Sequence, residues 1–476
     1  LFLVASFGLL IAFIALSLLK IQIMKVHFIA IGGSAMHNLA IALHQKGYQV
    51  TGSDDEIFEP SYTRLKLRNL LPENIGWVPE RITNDLDAVI LGMHARVDNP
   101  ELLEAQKKSI KIYSYPEFLY EQSKDKRRIV IGGSHGKTTI TSMILHVMKH
   151  AGIDVDFMVG AQLEGFEVMV KLSKTSEWMI MEGDEYLTSP IDRVPKFLHY
   201  HPHIAVISGI GWDHINVFPT FENYLDQFRL FIKSIEKGGC LIYFQEDKEV
   251  VALANETSIE KIPYIAHPFT VSAGQTAITS SRNQNYDLKI FGSHNMANLN
   301  AARLVCKEMG VEEEIFYNAI STFHGASRRL ETIATNGKSI LYGDFAHAPS
   351  KVKASTAALR LQHPDAKLIV CLELHTYSSL NEVFIDQYKN SLDEADIVVV
   401  FYDPHAVALK RLPEMTFERI SKAFLRDDLL VFDNKDKLKE FLIKESQDIF
   451  AIALMSSGSF NGLDTNQLAL ETGLLK

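Results

Sequence analysis

Only three cysteines, Cys240, Cys306 and Cys371, occur in 476 residues, and they stand far apart. They form neither a disulfide framework nor a zinc-ligand spacing, which suits a reducing cytoplasm. No long basic run is present and the net charge is -10, which argues against a general nucleic-acid binder. Short internal repeats and low-complexity tracts are also missing. Two phosphate-binding signatures are incomplete. A standard phosphate loop, G-x-x-x-x-G-K-[ST], needs glycine where Ile131 stands. The dinucleotide fingerprint G-x-G-x-x-G falls on Ala30, Gly32 and Ala35, and losing its first glycine weakens the tight-turn argument. The remnant points to a diphosphate or nucleotide site and not to a nicotinamide cofactor; a glycine turn used for packing alone is the alternative.

The hydrophobic fraction of 47% and charged fraction of 22% are ordinary for a soluble globular enzyme, and the length suggests about three domains. Residues 1–19 carry no charged side chain and are long enough for a membrane anchor. Met24, however, reads as a natural start running straight into a strand. Residues 1–23 are therefore an upstream-start artefact or an anchor, and membrane contact is expected only in the second case.

What is present centres on Arg128-Ile-Val-Ile-Gly-Gly-Ser-His-Gly-Lys-Thr-Thr-Ile140. Ile129–Ile131 reads as a buried parallel strand, Gly132 and Gly133 as a tight turn, and Thr138 onward as a helix ending at Gly152. Strand, glycine loop carrying lysine, then helix is a recipe for holding phosphate. Loop amides and the helix N-terminus face the anion, Lys137 adds a point charge and Thr138 suits Mg²⁺. ATP binding is the first expectation.

Around this loop the chain alternates strand and helix. Val26–Ile31, Tyr48–Thr51, Ala88–Gly92 and Lys111–Tyr113 are predicted strands of a first doubly wound sheet over 24–125. Over 126–325 one strand delivers Glu182-Gly-Asp-Glu185 and another delivers Asp213-His214, placing carboxylate and imidazole where a metal–phosphate complex would lie. Taken singly, Asp213 and His214 also read as a helix cap and a surface histidine. Asn295 and Asn298 lie one turn apart at a helix start and suit adenine reading or capping equally. Arg328-Arg329 reads as a hinge that reaches a γ-phosphate, or as an exposed linker. Over 326–476 strands end in Asp344-Phe-Ala-His347, His375-Thr-Tyr377, Asp403-Pro-His405 and Ser456-Ser-Gly458, again a doubly wound pattern.

Gly133-Ser-His-Gly-Lys-Thr-Thr, Glu182-Gly-Asp-Glu, Asp213-His214, His294-Asn-Met-Ala-Asn298, Arg328-Arg329-Leu-Glu and Asp344-Phe-Ala-His347, in this order, resemble the Mur ligases of bacterial cell-wall synthesis. The resemblance runs from about Met24 to the C-terminus. It implies an α/β chain of three domains: a Rossmann-like UDP-sugar domain, a central P-loop ATPase and a Rossmann-like domain for the amine substrate. It implies cytoplasmic ATP- and Mg²⁺-dependent amide ligation through an acyl phosphate. Gly133, Ser134, His135, Gly136, Lys137, Thr138 and Thr139 would cradle ATP, joined by Asn295, Asn298, Arg329 and Asp344. Thr138, Glu182 and His214 would hold the metal, and Lys137, Glu182, His214 and Arg329 would act in catalysis. Gly32, Gly33, Ser34, Ser53 and Asp54 would lie near the UDP-sugar, and His347, His375 and Tyr377 near the amine.

The opening Val-His-Phe-Ile-Ala-Ile-Gly-Gly-Ser-Ala-Met resembles the branch that takes UDP-N-acetylmuramate as acceptor. In that branch the amine is L-alanine or the tripeptide L-alanyl-γ-D-glutamyl-meso-diaminopimelate. The alanine enzymes carry His-Arg-Tyr-x-Arg where this chain has His375-Thr376-Tyr377-Ser378-Ser379. Without both arginines a free α-carboxylate loses its bidentate clamp, which favours the tripeptide of wall recycling. Lys196-Phe-Leu-His-Tyr200 and Met455-Ser-Ser-Gly-Ser-Phe-Asn-Gly462 point the same way, whereas Trp212 and Ala348 depart from the family pattern. A non-catalytic UDP-sugar-binding paralogue and a nicotinamide oxidoreductase are the competing classes.

Overall fold

Apolar runs bounded by glycine alternate with helices along the chain, and most of these runs become buried parallel strands. The structure is a computed structural model describing residues 23–475 except 164, 165, 167, 213–216, 273, 327, 328 and 414. Expectations for residues 1–22, Asp213, His214 and Arg328 lie outside the described residues. Among the described residues no helix is long and apolar enough to cross a membrane. The chain divides into two compact units. One runs to Gln122 and takes in Val170–Lys174 and Thr188–Arg193; the other comprises Ser123–Met169, Thr175–Leu187 and Val194 onward.

In the first unit, β1 (Lys25–Ile29), β2 (Gln49–Ser53), β3 (Ala88–Leu91) and β4 (Ile112–Ser114) form a parallel sheet in the order β2-β1-β3-β4. β1 stops short of the expected Ile31 because Ala30 leaves it at a φ of 68°. That left-handed conformation costs a residue with a Cβ roughly 1–2 kcal/mol. The Ala30 and Ile31 amides both donate to the Ser53 carbonyl, at 2.9 and 3.1 Å, which offsets the cost. Alanine thus makes the tight turn, and the missing glycine does not weaken it. Helix α1 (Ser34–Gln45) follows.

The second unit holds three sheets. β5 (Arg127–Gly132), β6 (Asp156–Met158), β7 (Trp178–Glu182), β8 (Ile204–Ile207), β9 (Cys240–Phe244) and β10 (Glu260–Tyr264) lie parallel in the order β10-β9-β8-β5-β7-β6. Helices α2 (Lys137–His150), α3 (Phe221–Lys233) and α4 (Ser293–Glu308) accompany this sheet. Arg128, almost wholly buried, donates to the carbonyls of Ser123, Lys124 and Lys126 and so clamps the chain as it enters β5. An antiparallel sheet of β11 (Phe269–Ser272), β12 (Gln275–Thr279) and β13 (Asn285–Leu288) lies between the central and last sheets in sequence.

In the last sheet β14 (Glu331–Thr335) pairs antiparallel with β15 (Ile340–Asp344). β16 (Lys367–Leu374), β17 (Ile397–Tyr402), β18 (Leu430–Phe432) and β19 (Phe450–Met455) run parallel to β15, in the order β14-β15-β19-β16-β17-β18. Helix α5 (Pro349–Gln362) follows β15. Because β19 inserts between β15 and β16, the carboxyl ends of these three strands make the crevice where doubly wound sheets bind ligands.

Candidate functional site

β5 delivers the chain into a loop whose backbone only glycine adopts easily: Gly133 has φ 124° and Gly136 φ 80°. A Cβ at Gly133 would stand 2.4 Å from Ser208 Oγ, and one at Gly136 2.3 Å from Asn298 Oδ1. The loop is pinned between the end of β8 and α4. Directly after it α2 begins, at Lys137, presenting the unpaired amides of a helix start to an anion. Gly136→Ala therefore adds a strained φ, costing roughly 1–2 kcal/mol, and displaces the loop. The expected result is a lower thermal midpoint and a turnover loss on the order of 10²-fold from misplaced phosphates; wild-type kinetics would mean that this loop does not position ATP.

Lys137 Nζ donates to Glu185 Oε2 at 2.7 Å and to the Gly133 carbonyl at 2.8 Å. Burial pulls the ammonium pKa down, but Glu185, then Asp184 and Glu182, hold it above its ordinary value. The buried Glu185 carboxylate also accepts from Tyr224 on α3 at 3.0 Å. The Tyr224 hydroxyl in turn lies 2.8 Å from Ser134 Oγ, and Ser134 Oγ accepts from the Gly211 amide at 2.9 Å. Glu185 and Tyr224 were not singled out as site residues in the sequence. Glu185 sits within the Glu182-Gly-Asp-Glu signature, but nothing in the sequence pattern marks Tyr224.

Thr138 Oγ1 donates to Glu182 Oε1 at 2.8 Å, and the Gly160 amide donates to Glu182 Oε2 at 2.8 Å. A hydroxyl and a carboxylate side by side at a phosphate loop are hard oxygen donors, and they fit Mg²⁺. Thr139 is buried behind them, and His135 lies against Gly209 and Gly211.

A cavity of about 590 Å³ opens from the loop, lined also by α4, α5 and residues around β15. Asn295 and Asn298 both line it, and each also has a local contact. Asn295 Nδ2 donates to the Phe291 carbonyl at 2.9 Å, and Asn298 packs on Gly136. Just before them, burial pushes the imidazole of the cavity-lining His294 down to about 4. Arg329 also lines the cavity; its guanidinium lies 4.7 Å over the Phe345 ring, and His347 meets that ring edge-on at 5.1 Å. Asp344, buried at the end of β15, accepts from Ser355 Oγ. Burial raises its carboxyl pKa, with Ser355 and Arg329 opposing the rise.

In the first unit Gly32 and Gly33 are half-buried and Ser34 exposed at the start of α1. Ser53 and Asp54 turn inward: Ser53 Oγ accepts from Arg81 at 2.7 Å, and Asp54 Oδ2 accepts from the Gly32 amide at 2.7 Å. These two residues build the turn rather than line an open surface. Burial pushes the Asp54 carboxyl up to about 6 from 3.8, the Gly32 amide opposing the rise and Asp55 adding to it. A carboxyl raised on folding holds stability that is full below its unfolded pKa and lost as pH climbs through the folded one. Asp54→Asn should therefore flatten the fall in thermal midpoint between about pH 4 and pH 6. An unchanged slope would assign that pH dependence elsewhere.

At the end of β16, His375 and Tyr377 are each 43% exposed. His347 lies at the end of β15, its Nδ1 donating to the Phe345 carbonyl at 2.7 Å. Thr376 and Ser379, the positions of the two missing arginines, hydrogen-bond to each other: Thr376 Oγ1 meets Ser379 Oγ at 3.0 Å and accepts from the Ser379 amide at 3.0 Å. Ser379 is buried, so the turn closes on itself.

Residues 25–127 match the Mur ligase family, catalytic domain, and residues 131–306 match the Mur ligase middle domain. A UDP-N-acetylmuramate–L-alanine ligase of Caldicellulosiruptor bescii is 32% identical over 456 residues, covering 92% of this chain and 96% of that protein. The enzyme of the same name from Aquifex aeolicus is 32% identical over 394 residues, covering 80% and 84%. Among solved structures, a UDP-N-acetylmuramate–alanine ligase of Thermotoga maritima superposes with a TM-score of 0.66 at 19% identity, covering 92% and 97% of the two chains. A murein peptide ligase of Psychrobacter arcticus gives 0.62 at 21% identity, covering 95% and 99%. At such identities the two structures establish a shared fold.

Proposed function

The chain belongs to the Mur ligase family, whose members are ATP-dependent ligases, and from that premise we propose that it joins UDP-N-acetylmuramate to the amine of L-alanyl-γ-D-glutamyl-meso-diaminopimelate. The substrate carboxylate attacks the ATP γ-phosphate to give an acyl phosphate, and the amine then displaces phosphate. Such phosphoryl transfer needs positioning and charge neutralisation more than covalent help. Lys137 meets the β/γ-phosphates, exchanging part of its contact with Glu185 for them. Thr138 and Glu182 would hold Mg²⁺, which would supply charge neutralisation at the phosphates; His214, the third expected ligand, lies outside the described residues. Arg329 and Asp344 contact ATP from the last sheet, and Asn295 and Asn298 form the adenine wall. In this reading the first sheet is the UDP-sugar domain, with boundaries near residues 125 and 325 separating three domains.

The choice of amine rests on one observation. The turn Thr376–Ser379 is closed by its own hydroxyls where the alanine-adding pattern has two arginines. A peptide whose carboxylates lie far from its reacting amine needs no clamp at that point. The intact Lys137–Glu185 and Thr138–Glu182 pairs speak against a non-catalytic UDP-sugar sensor, which has no use for them.

L-alanine is the second reading, favoured by the names of the curated relatives. Phosphate release from ATP with UDP-N-acetylmuramate, offered L-alanine and the tripeptide in parallel, separates the two. Higher kcat/KM with tripeptide supports the recycling ligase. Higher kcat/KM with L-alanine makes it the alanine-adding enzyme, with the carboxylate held elsewhere than at 376 and 379. Release without any amine dependence would refute both.

A further inference from the structure

The carboxyl end of β16 carries a buried acid that this reaction scheme leaves without a task. Glu373 is 2% exposed. Its Oε2 accepts from the Phe460 amide at 2.9 Å and from Ser456 Oγ, and its Oε1 lies 3.7 Å from Nδ1 of the half-exposed His375. The loop after β19 closes over the pair so tightly that a Cβ at Gly458 would stand 2.8 Å from both Glu373 Oε2 and His375 Nδ1. The same loop is tied to the ATP-facing strand, because the Ser456 amide donates to the Asp344 carbonyl at 2.8 Å. Asp344 and Leu372 share a register level, each opposite Met455 on the intervening strand. Two strand spacings separate β15 from β16, about 10 Å, so the pair stands at the same sheet end as Arg329 and Asp344.

We propose that Glu373 and His375 form a carboxylate–imidazole pair that takes the proton from the incoming ammonium; this rests on the ligase reading above. Glu373 is the positioning residue. By accepting from Nδ1–H it fixes the tautomer whose Nε2 carries a lone pair, and a separation of 3.7 Å is of the kind that shortens when substrate docks. His375 is the base. One ammonium proton passes to Nε2, and the freed nitrogen lone pair attacks the acyl-phosphate carbonyl carbon. The C–N bond forms, the C–O bond to phosphate breaks, phosphate departs with that electron pair, and the second surplus proton leaves with it.

Hydroxylamine provides the test. It is a neutral nucleophile near neutral pH, so it captures an acyl phosphate as hydroxamate without needing a base. The wild-type enzyme, His375→Ala and Glu373→Gln are assayed with ATP and UDP-N-acetylmuramate, using first whichever amine the wild type accepts and then hydroxylamine. The proposal expects amine-driven kcat to fall about 10²-fold or more in both variants, with hydroxamate formation and the KM for ATP near wild type. Amine turnover within a few-fold of wild type in His375→Ala overturns it. So does a parallel fall of both reactions, which would mark a structural role. His375 is half-exposed, so its variant stays informative if Glu373→Gln folds poorly. Wild-type enzyme that yields neither amide nor hydroxamate refutes the ligase reading itself, and this inference with it.

Discussion

Lys137→Ala removes ATP-dependent turnover, a fall of roughly 10³-fold or more if the ammonium neutralises charge on the transferring phosphate. UDP-sugar binding, measured by calorimetry, stays near wild type, because the first sheet, proposed as the UDP-sugar domain, belongs to the other compact unit. The same substitution also destabilises the fold. Glu185 is 2% exposed, and losing Lys137 takes away the cation that pairs with this buried carboxylate, while the Tyr224 hydroxyl still donates to it. Breaking a buried pair from one side costs about 3–5 kcal/mol. A second substitution separates the two effects. Lys137→Ala with Glu185→Gln should recover most of the thermal midpoint and none of the turnover. If the single variant lost UDP-sugar binding as well, the assignment of the two sites to separate units would fall.

The legible parts of the molecule are those where one local pattern implies one local structure. Ile129–Ile131 followed by glycine and Lys137 becomes β5, loop and α2 because a buried parallel strand has no other way to meet a helix N-terminus across so short a turn. The strands ending in Glu182, in Asp344 and just before His375 are mostly apolar, and they end where the polarity begins. The unread parts depend on partners distant in sequence. Nothing around Tyr224 marks it as the residue that joins Ser134 to Glu185, since its own helix is an ordinary amphipathic one. Glu373 stands in the run Lys367–Leu374 and reads there as a strand residue. It becomes a buried acid only because β19, some eighty residues later, inserts beside β16 and brings its loop with it.

Ala30 and Asn298 show the same limit from the other side. A missing glycine weakens the sequence argument for the first turn, but left-handedness is set by what the neighbours supply. Here two amides converging on the Ser53 carbonyl make alanine serviceable. The spacing of Asn298 to Asn295 suits adenine reading or capping equally, and Asn298 lines the cavity. Its carboxamide oxygen is nevertheless packed where a Cβ of Gly136 would be, so part of its work is to shape the phosphate loop.

Arg329→Ala should slow phosphoryl transfer by on the order of 10² or more. The guanidinium lies 4.7 Å over the Phe345 ring, and Arg329 lines the cavity, so ring contact helps to hold the cation there. A cation–π contact of this kind contributes roughly 0.5–1 kcal/mol at a partly exposed site, so its share of the stability is small. Its loss at the transition state is large, because a preoriented cation facing developing charge costs nothing to reorganise. Arg329→Lys should not restore the rate, since a flexible ammonium neither stacks in that plane nor presents two parallel donors. Phe345→Leu should fall between, keeping the charge and loosening its aim. Single-turnover ADP formation with saturating UDP-N-acetylmuramate isolates this step from amine addition. A near-normal rate in Arg329→Ala would return the residue to an exposed basic linker and leave Lys137 and the helix N-terminus as the main charge facing the transferring group.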